Sequence, residues 1–178
     1  GSVRDGLSIL DQAIAHTAGK VTAGPVREML GLADRARTFD LFEALMRGQV
    51  AEALDRLREQ YDLGADPAVV LQDLLDLTHM LTRFKVVPAA LEDAALSDLE
   101  RERGGTLSQG LGMPDLGRAW QMLLKGLAEV RNAPSAIAAA EMVLVRLAYS
   151  VGLPSPEEAL RQLGHEPAPA ATPAAAAP

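Results

Sequence analysis

NAPSAIAAAEMVLVRLAYSVGL, residues 132–153, decides the fold. Ile137, Met142, Val143, Leu144, Val145, Leu147, Ala148 and Val151 leave no broad polar stripe around a helix, and only Glu141 and Arg146 interrupt it. A helix that is apolar all round is buried on every side or crosses a membrane. The two charges cut the run well short of the ~20 apolar residues that a span requires. The stretch therefore reads as a central helix, covered by its own domain or by that domain together with a neighbouring subunit. The remaining helices are its wrapping.

Working outward, the flanking sequence supplies that wrapping. Leu116, Trp120, Leu123, Leu127 and Val130 repeat at helical spacing, which predicts an amphipathic helix with Trp120 as a core anchor. Before it, Thr106–Pro114 reads as a turn-rich connection, and Leu91, Ala95 and Leu99 as a short helix closed by Gly104-Gly105. Asp66-Pro67 starts a helix, with Asp as N-cap and Pro at the first helical position. Val70, Leu74, Leu77, Leu81 and Phe84 form its inner face, Leu71 and Leu75 widen that face, and the helix stops before Pro88. Val50, Leu54, Leu57 and Tyr61 make another stripe that ends at Gly64, and Phe39, Phe42, Leu45 and Met46 one that ends near Gly48.

The N-terminal part predicts two short helices. Val3, Leu7, Leu10 and Ile14 carry the first, behind an S-x-x-D capping pair at Ser2 and Asp5. Thr22 is the N-cap of the second and Gly31 its stop, with Val26, Met29 and Leu30 inward. Two such helices bury too little to fold alone, so this piece reads as part of something larger. Past the apolar stretch, Ser155-Pro156-Glu157-Glu158 opens a last helix that fades at Leu163-Gly164. Residues 165–178, rich in Pro and Ala, form a linker without a core of their own.

Composition agrees with an all-α helical bundle. Of the 178 residues 48% are hydrophobic and 3% aromatic, with Leu and Ala, both helix formers, dominant. The formal charge of −7 argues against a basic nucleic-acid-binding face. There is no cysteine, hence no disulfide framework and no thiolate metal site. The N-terminus has no basic region followed by an apolar core, so the expected location is a bacterial cytoplasm.

No catalytic or metal-ligating constellation emerges. The sequence contains no G-x-x-x-x-G-K-[ST], no G-x-G-x-x-G and no G-x-S-x-G. His16 reads as a solvated helix-end residue and His79 as a surface or interface residue, since it points away from Leu77. Asp73 with Asp76 and Glu157 with Glu158 read as solvated faces and caps. The pairs Arg35/Arg37, Arg56/Arg58 and Arg101/Arg103 alternate with acids as solvent faces do. Chemistry alone stops at an all-α scaffold or interaction domain.

Residues 1–13, GSVRDGLSILDQA, take the reading further. They resemble the second arginine sensor of bacterial clamp-loader ATPases, G-S-x-R-D-[AG]-L-S-x-x-[DE]-Q-A, followed there by V-T…M-L-G, as at Val21-Thr22 and Met29-Leu30-Gly31. DRARTFDLFEALMRG at 34–48, RAWQMLLKG at 118–126 and AAAEMVLVRLAYSVGLP at 138–154 extend the resemblance, specifically to the gamma/tau subunits of DNA polymerase III, over nearly all of residues 1–164.

The resemblance implies residues 1–32 as the end of an AAA+ ATPase lid, 33–164 as a helical collar that oligomerises, and 165–178 as the start of a disordered linker. It implies that Arg4 reaches the phosphates of ATP in the intact subunit, a role suited to a planar, multi-donor guanidinium. ATP, Mg and a structural Zn belong to the ATPase module, which this sequence lacks, so neither catalysis nor a cofactor or metal is expected from this stretch. The implied partners are further copies, the delta and delta-prime subunits, and, through other segments, the sliding clamp, primer–template DNA, the polymerase and the replicative helicase. A membrane is not among them. The alternative from residues alone is a monomeric all-α adaptor that binds a partner peptide in a groove.

Overall fold

The computed structural model describes residues 23–151, 153, 160 and 161, with side chains from residue 31 onward. Six α-helices and a 3-10 turn make up this part: α1 (Ala23–Met46), α2 (Val50–Asp62), α3 (Pro67–Val86), the 3-10 turn Pro88–Glu92, α4 (Asp98–Gly110), α5 (Met113–Asn132) and α6 (Ala136–Ser150). No strand occurs among the described residues. The fold is an all-α bundle. Ser2, Asp5, His16, Thr22 and the linker lie outside the described residues, as do the side chains of Val26, Met29 and Leu30 and most of the last expected helix.

The hub of the bundle is α3, not α6. Helix α3 packs against every other α-helix and the 3-10 turn, most extensively against α5. Its start follows from sequence: Asp66 accepts the Ala68 amide at 2.8 Å, and Pro67 takes the first turn, where no N–H is needed. Val70, Leu71, Leu74, Leu75, Leu77, Leu81 and Phe84 are all buried, so about half of the helix circumference faces protein. Thr78 is buried too, and its hydroxyl donates to the Leu74 carbonyl at 2.7 Å, which removes the desolvation cost of an unpaired hydroxyl. Glycine is required at the two sharp turns before α2 and α3. Gly48 (φ 70°) and Gly64 (φ 98°) adopt left-handed conformations, and the amides of Gln49 and Ala65 fold back to the carbonyls of Ala44 and Gln60 at 2.9 Å.

Helix α6 corrects the sequence reading. Ala140, Val143, Leu144, Leu147 and Ala148 are buried, but the opposite face is open, with Met142 55% and Tyr149 72% exposed. Its two charges are not isolated interruptions. Glu141 pairs with Arg58 on α2, and Arg146 with Glu129 on α5. The helix is apolar on two faces, of which the described domain covers one.

Other boundaries shift for definable reasons. Gly31 does not stop a helix; α1 runs unbroken from Ala23 to Met46. An interior glycine costs only about 1 kcal/mol relative to alanine, and the leucine- and alanine-rich sequence on either side sustains the helix. Gly104-Gly105 does not end α4 but lies buried inside it. A Cβ at Gly104 would come within 2.8 Å of the Phe84 ring and 3.2 Å of the Met80 methyl, so the pair lets α4 approach α3. The start of α4 is set by a capping box in which Ser97 and Glu100 satisfy each other's amides. Helix α4 runs on to Gly110, so most of the expected connection at 106–114 is helical. Tyr61 is exposed, whereas Leu57 from the same stripe is buried.

The arginine pairs read as solvent faces are largely tertiary links. Arg103 on α4 reaches Asp40 (2.8 Å) and Glu43 (2.6 Å) on α1 and lies 5.1 Å above the Phe39 ring. Arg35 on α1 meets Glu100 at 2.8 Å. Burial works against the charged form of Glu100. The backbone and hydroxyl of Ser97 and the Arg35 guanidinium outweigh it and hold the carboxyl below its ordinary range.

Candidate assembly surface

Helix α5 carries the first open face. Leu116, Ala119, Leu123, Leu127 and Val130 point inward as the periodicity predicts, but Trp120 does not: it is 38% exposed and packs on the His79 ring of α3, with centroids 6.2 Å apart. Its position at the edge of the inward stripe leaves the indole on the seam between α3 and α5. His79, expected at a surface or interface, is the other half of that pair.

The seam extends to both sides. Lys85 on α3 donates to the Ser108 carbonyl at 3.0 Å, and α5 begins soon after at Met113, so α3 and α5 run antiparallel. Going from His79 towards the end of α3 therefore accompanies going from Trp120 back towards Met113. Val86, Val87, Met113, Trp120 and Leu124, all exposed, line this edge, with Leu124 at 51%. A row of exposed large apolar side chains marks an interaction site more often than chance exposure does.

The outer side of α6 is the second open face, with Met142 and Tyr149. A small groove of about 160 Å³ with a largely apolar floor lies between α5 and α6, lined by Met122 and Val143 with Lys125, Glu129 and Arg146. At the end of the groove Arg118 donates to the carbonyls of Ser150 and Leu153, the latter at 2.9 Å, closing the end of α6.

A larger cavity, about 340 Å³, lies between α1 and the turn into α3, lined by Asp34, Arg37, Asp66 and Asp73 among others. Its carboxylates are engaged rather than convergent on a substrate. Asp34 holds Arg37 at 3.0 Å, and Asp66 caps α3. Asp73 is half-buried and its pKa is raised, chiefly by that burial; Arg35 opposes the shift, and Asp76 and Asp34 add to it. An acid with a raised folded pKa is destabilising in its charged form, and the penalty disappears as pH falls through that pKa. Asp73→Asn is expected to raise the melting temperature at pH 7 by a small amount, on the order of 1 °C. The gain should vanish near pH 3, where both states are protonated, and calorimetry across pH reads this directly.

No group of three or more His, Asp or Glu residues among the described ones could hold a metal. No helix among them is long and apolar enough to cross a membrane. Arg4, Glu157 and Glu158 lie outside the described residues. The two open faces were missed from sequence because an outward Met or Tyr in an apolar helix looks the same as an inward one. The only available signal was that the 132–153 stretch has more apolar circumference than one contact can bury.

Comparison with known proteins identifies the family. Residues 21–163 match the family described as DNA polymerase III subunits gamma and tau domain III. Residues 1–19 match the DNA polymerase III clamp loader subunit, ATPase lid domain. The chain is 34% identical over 160 residues to DNA polymerase III subunit tau of Salmonella typhimurium, covering 88% of this chain and 24% of that protein. It is 33% identical over 159 residues to subunit tau of Escherichia coli, again covering 88% of this chain and 24% of the relative. With subunit gamma/tau of Mycobacterium tuberculosis it shares 32% over 152 residues, 83% of this chain and 26% of the other. The chain thus spans about a quarter of the length of these relatives. An all-α bundle with its most apolar helix open on one side, matched over 143 residues to one domain, belongs to the DNA polymerase III gamma/tau family of clamp-loader subunits.

Proposed function

We propose that this bundle is the collar that holds a clamp loader together. It associates with further copies of itself and with the delta and delta-prime subunits, so that attached ATPase modules act in concert on the sliding clamp and primer–template DNA in the bacterial cytoplasm. The observation that carries this reading is the uncovered apolar face of α6 in a domain matched to gamma/tau domain III. Surface of that kind is what subunit interfaces bury.

The division into residues 1–32 as the end of the lid, 33–164 as collar and 165–178 as linker belongs to the same proposal. So does the placing of contacts to the polymerase and the replicative helicase in other segments of the intact subunit. Arg4 would supply a guanidinium to the ATP phosphates there. No phosphate loop exists in this sequence to hold the nucleotide, and ATP, Mg and structural Zn are assigned to the ATPase module. The 178-residue chain by itself should hydrolyse no ATP.

Static light scattering from roughly 1 to 100 μM tests the assembly role, because association driven by mass action grows with concentration. A mass rising above that of the 18.8 kDa chain, alone or on mixing with delta and delta-prime, is the expected result. A monomer under all of these conditions would overturn the assignment and favour the peptide-binding adaptor.

A further inference from the structure

The seam between α3 and α5 has a candidate cover within its own chain. Met113, Trp120 and Leu124 are exposed along α5, and Gly117, on the same helical stripe, has open space where a side chain would stand. Val86 continues the row on α3. Arg83 and Arg131 are exposed beside it and join no ion pair among the described residues, and Lys125 is exposed directly after Leu124. The acids of α5, Asp115 and Glu129, already face Arg118 and Arg146. Asp76, on the α3 side, accepts the Gln72 amide at 3.2 Å. The seam is apolar with a positive surplus.

The chain leaves α6 next to this surface. Arg118 on α5 donates to the carbonyls of Ser150 and Leu153, so the C-terminal segment starts beside the first turns of α5. That segment, SPEEALRQLG at 155–164, carries Pro156, Leu160 and Leu163 at helical spacing, an apolar stripe with Glu157 and Glu158 next to it. Leu160 is helical and 70% exposed, so its apolar side chain also lacks cover. As a helix the segment spans about 15 Å, against about 16 Å along α5 from Met113 to Leu124. Pro154 and Ser155 add about 7 Å of extended chain. Length, apolar stripe and charge all fit the seam.

We propose that residues 155–164 close over the α3–α5 seam of their own chain, with Pro156 above Gly117 and Leu160 against Trp120 and Leu124. The structure shows the open arrangement, with Leu160 and Leu124 both exposed. The closed one buries them against each other and sets Glu157 and Glu158 among the surplus cations. A short tether holds the segment at an effective concentration on the order of millimolar, so the contact needs little intrinsic affinity, and any partner of the seam must displace it. The contact lies within one chain and does not depend on assembly.

Trp120 is the sole tryptophan of the sequence and reports on its own cover. In the 178-residue chain, diluted until light scattering gives a monomer, Leu160→Asp with Leu163→Asp should make Trp120 more accessible to acrylamide and shift its emission to the red. Leu160 is not part of the core, so circular dichroism melting of the bundle should stay unchanged. The sequence has no cysteine, so Leu124→Cys with Leu160→Cys supplies the only thiols. Mild oxidation should then close a disulfide within one chain, seen as a faster-migrating monomer on a non-reducing gel.

Equal quenching of the parent and the Leu160/Leu163 variant overturns the cover. So does a double-cysteine chain that forms no disulfide, or forms one only between chains. Trp120 protection that fades on dilution overturns it too, because a tethered segment cannot be diluted away from its own seam.

Discussion

Leu74→Ala is expected to lower the unfolding free energy by about 2–5 kcal/mol, the range for deleting a fully buried leucine from a core that relaxes only in part. Leu74 is completely buried on α3, the helix that touches every other element, so the cavity would open inside the main core. Met142→Ala, in the most apolar stretch of the sequence, should change stability by no more than about 0.5 kcal/mol, because that side chain faces outward on the single chain. Urea unfolding at protein concentrations low enough to keep the chain monomeric makes the comparison clean. Equal losses at the two positions would contradict the outward placement of Met142 on the single chain.

The second large effect is at Gly126. Helix α5 crosses α6 there with no space for a side chain: a Cβ would lie 2.6 Å from Cγ2 of Val143 and closer still to Cγ1. Valine is held near one rotamer in a helix, so it cannot swing away. Gly126→Ala should therefore destabilise by about 1–3 kcal/mol, although alanine is favoured over glycine in a helix by about 1 kcal/mol. Val143→Ala also costs stability, since Val143 is buried between the two helices. The double variant should be less unstable than the sum of the two, with a favourable coupling of about 0.5–3 kcal/mol, because the second truncation makes room for the first methyl. Additive losses in the same urea titrations would mean that the helices simply move apart and that the close crossing contributes no specificity.

The contrast between these positions shows which features were legible in the residues. The Asp66-Pro67 start, the leucine face of α3 and the Gly48 and Gly64 turns are local matters. They depend on capping, on the missing N–H of proline and on the freedom of glycine at positive φ, and each can be read from a few adjacent residues. The gamma/tau resemblance of residues 1–13, 34–48, 118–126 and 138–154 was also readable, and the family match confirms it.

The limits of local reading appear at Gly31, at Gly104-Gly105 and at Trp120. Glycine ends one helix and is packed inside another according to what stands opposite. For Gly104 that is Phe84, 20 residues earlier in the chain. Trp120 continues an inward stripe by spacing, yet the fold turns its indole towards His79 at the edge of the core. Arg35, Arg56, Arg58 and Arg103 look like ordinary solvent-facing charges until Glu100, Asp40, Glu141 and Glu43 are brought across from other helices.

By itself, then, the sequence determined that the chain is helical, where α2, α3, α5 and α6 lie, the inward leucines of α3 and α5 and which family it resembles, because capping and the 3.6-residue period act within one helix. Only the tertiary structure decided which helix is central and which side of α6 is left open. Those outcomes depend on the order in which helices pack around one another, and helical period gives the width of an apolar face without naming what covers it.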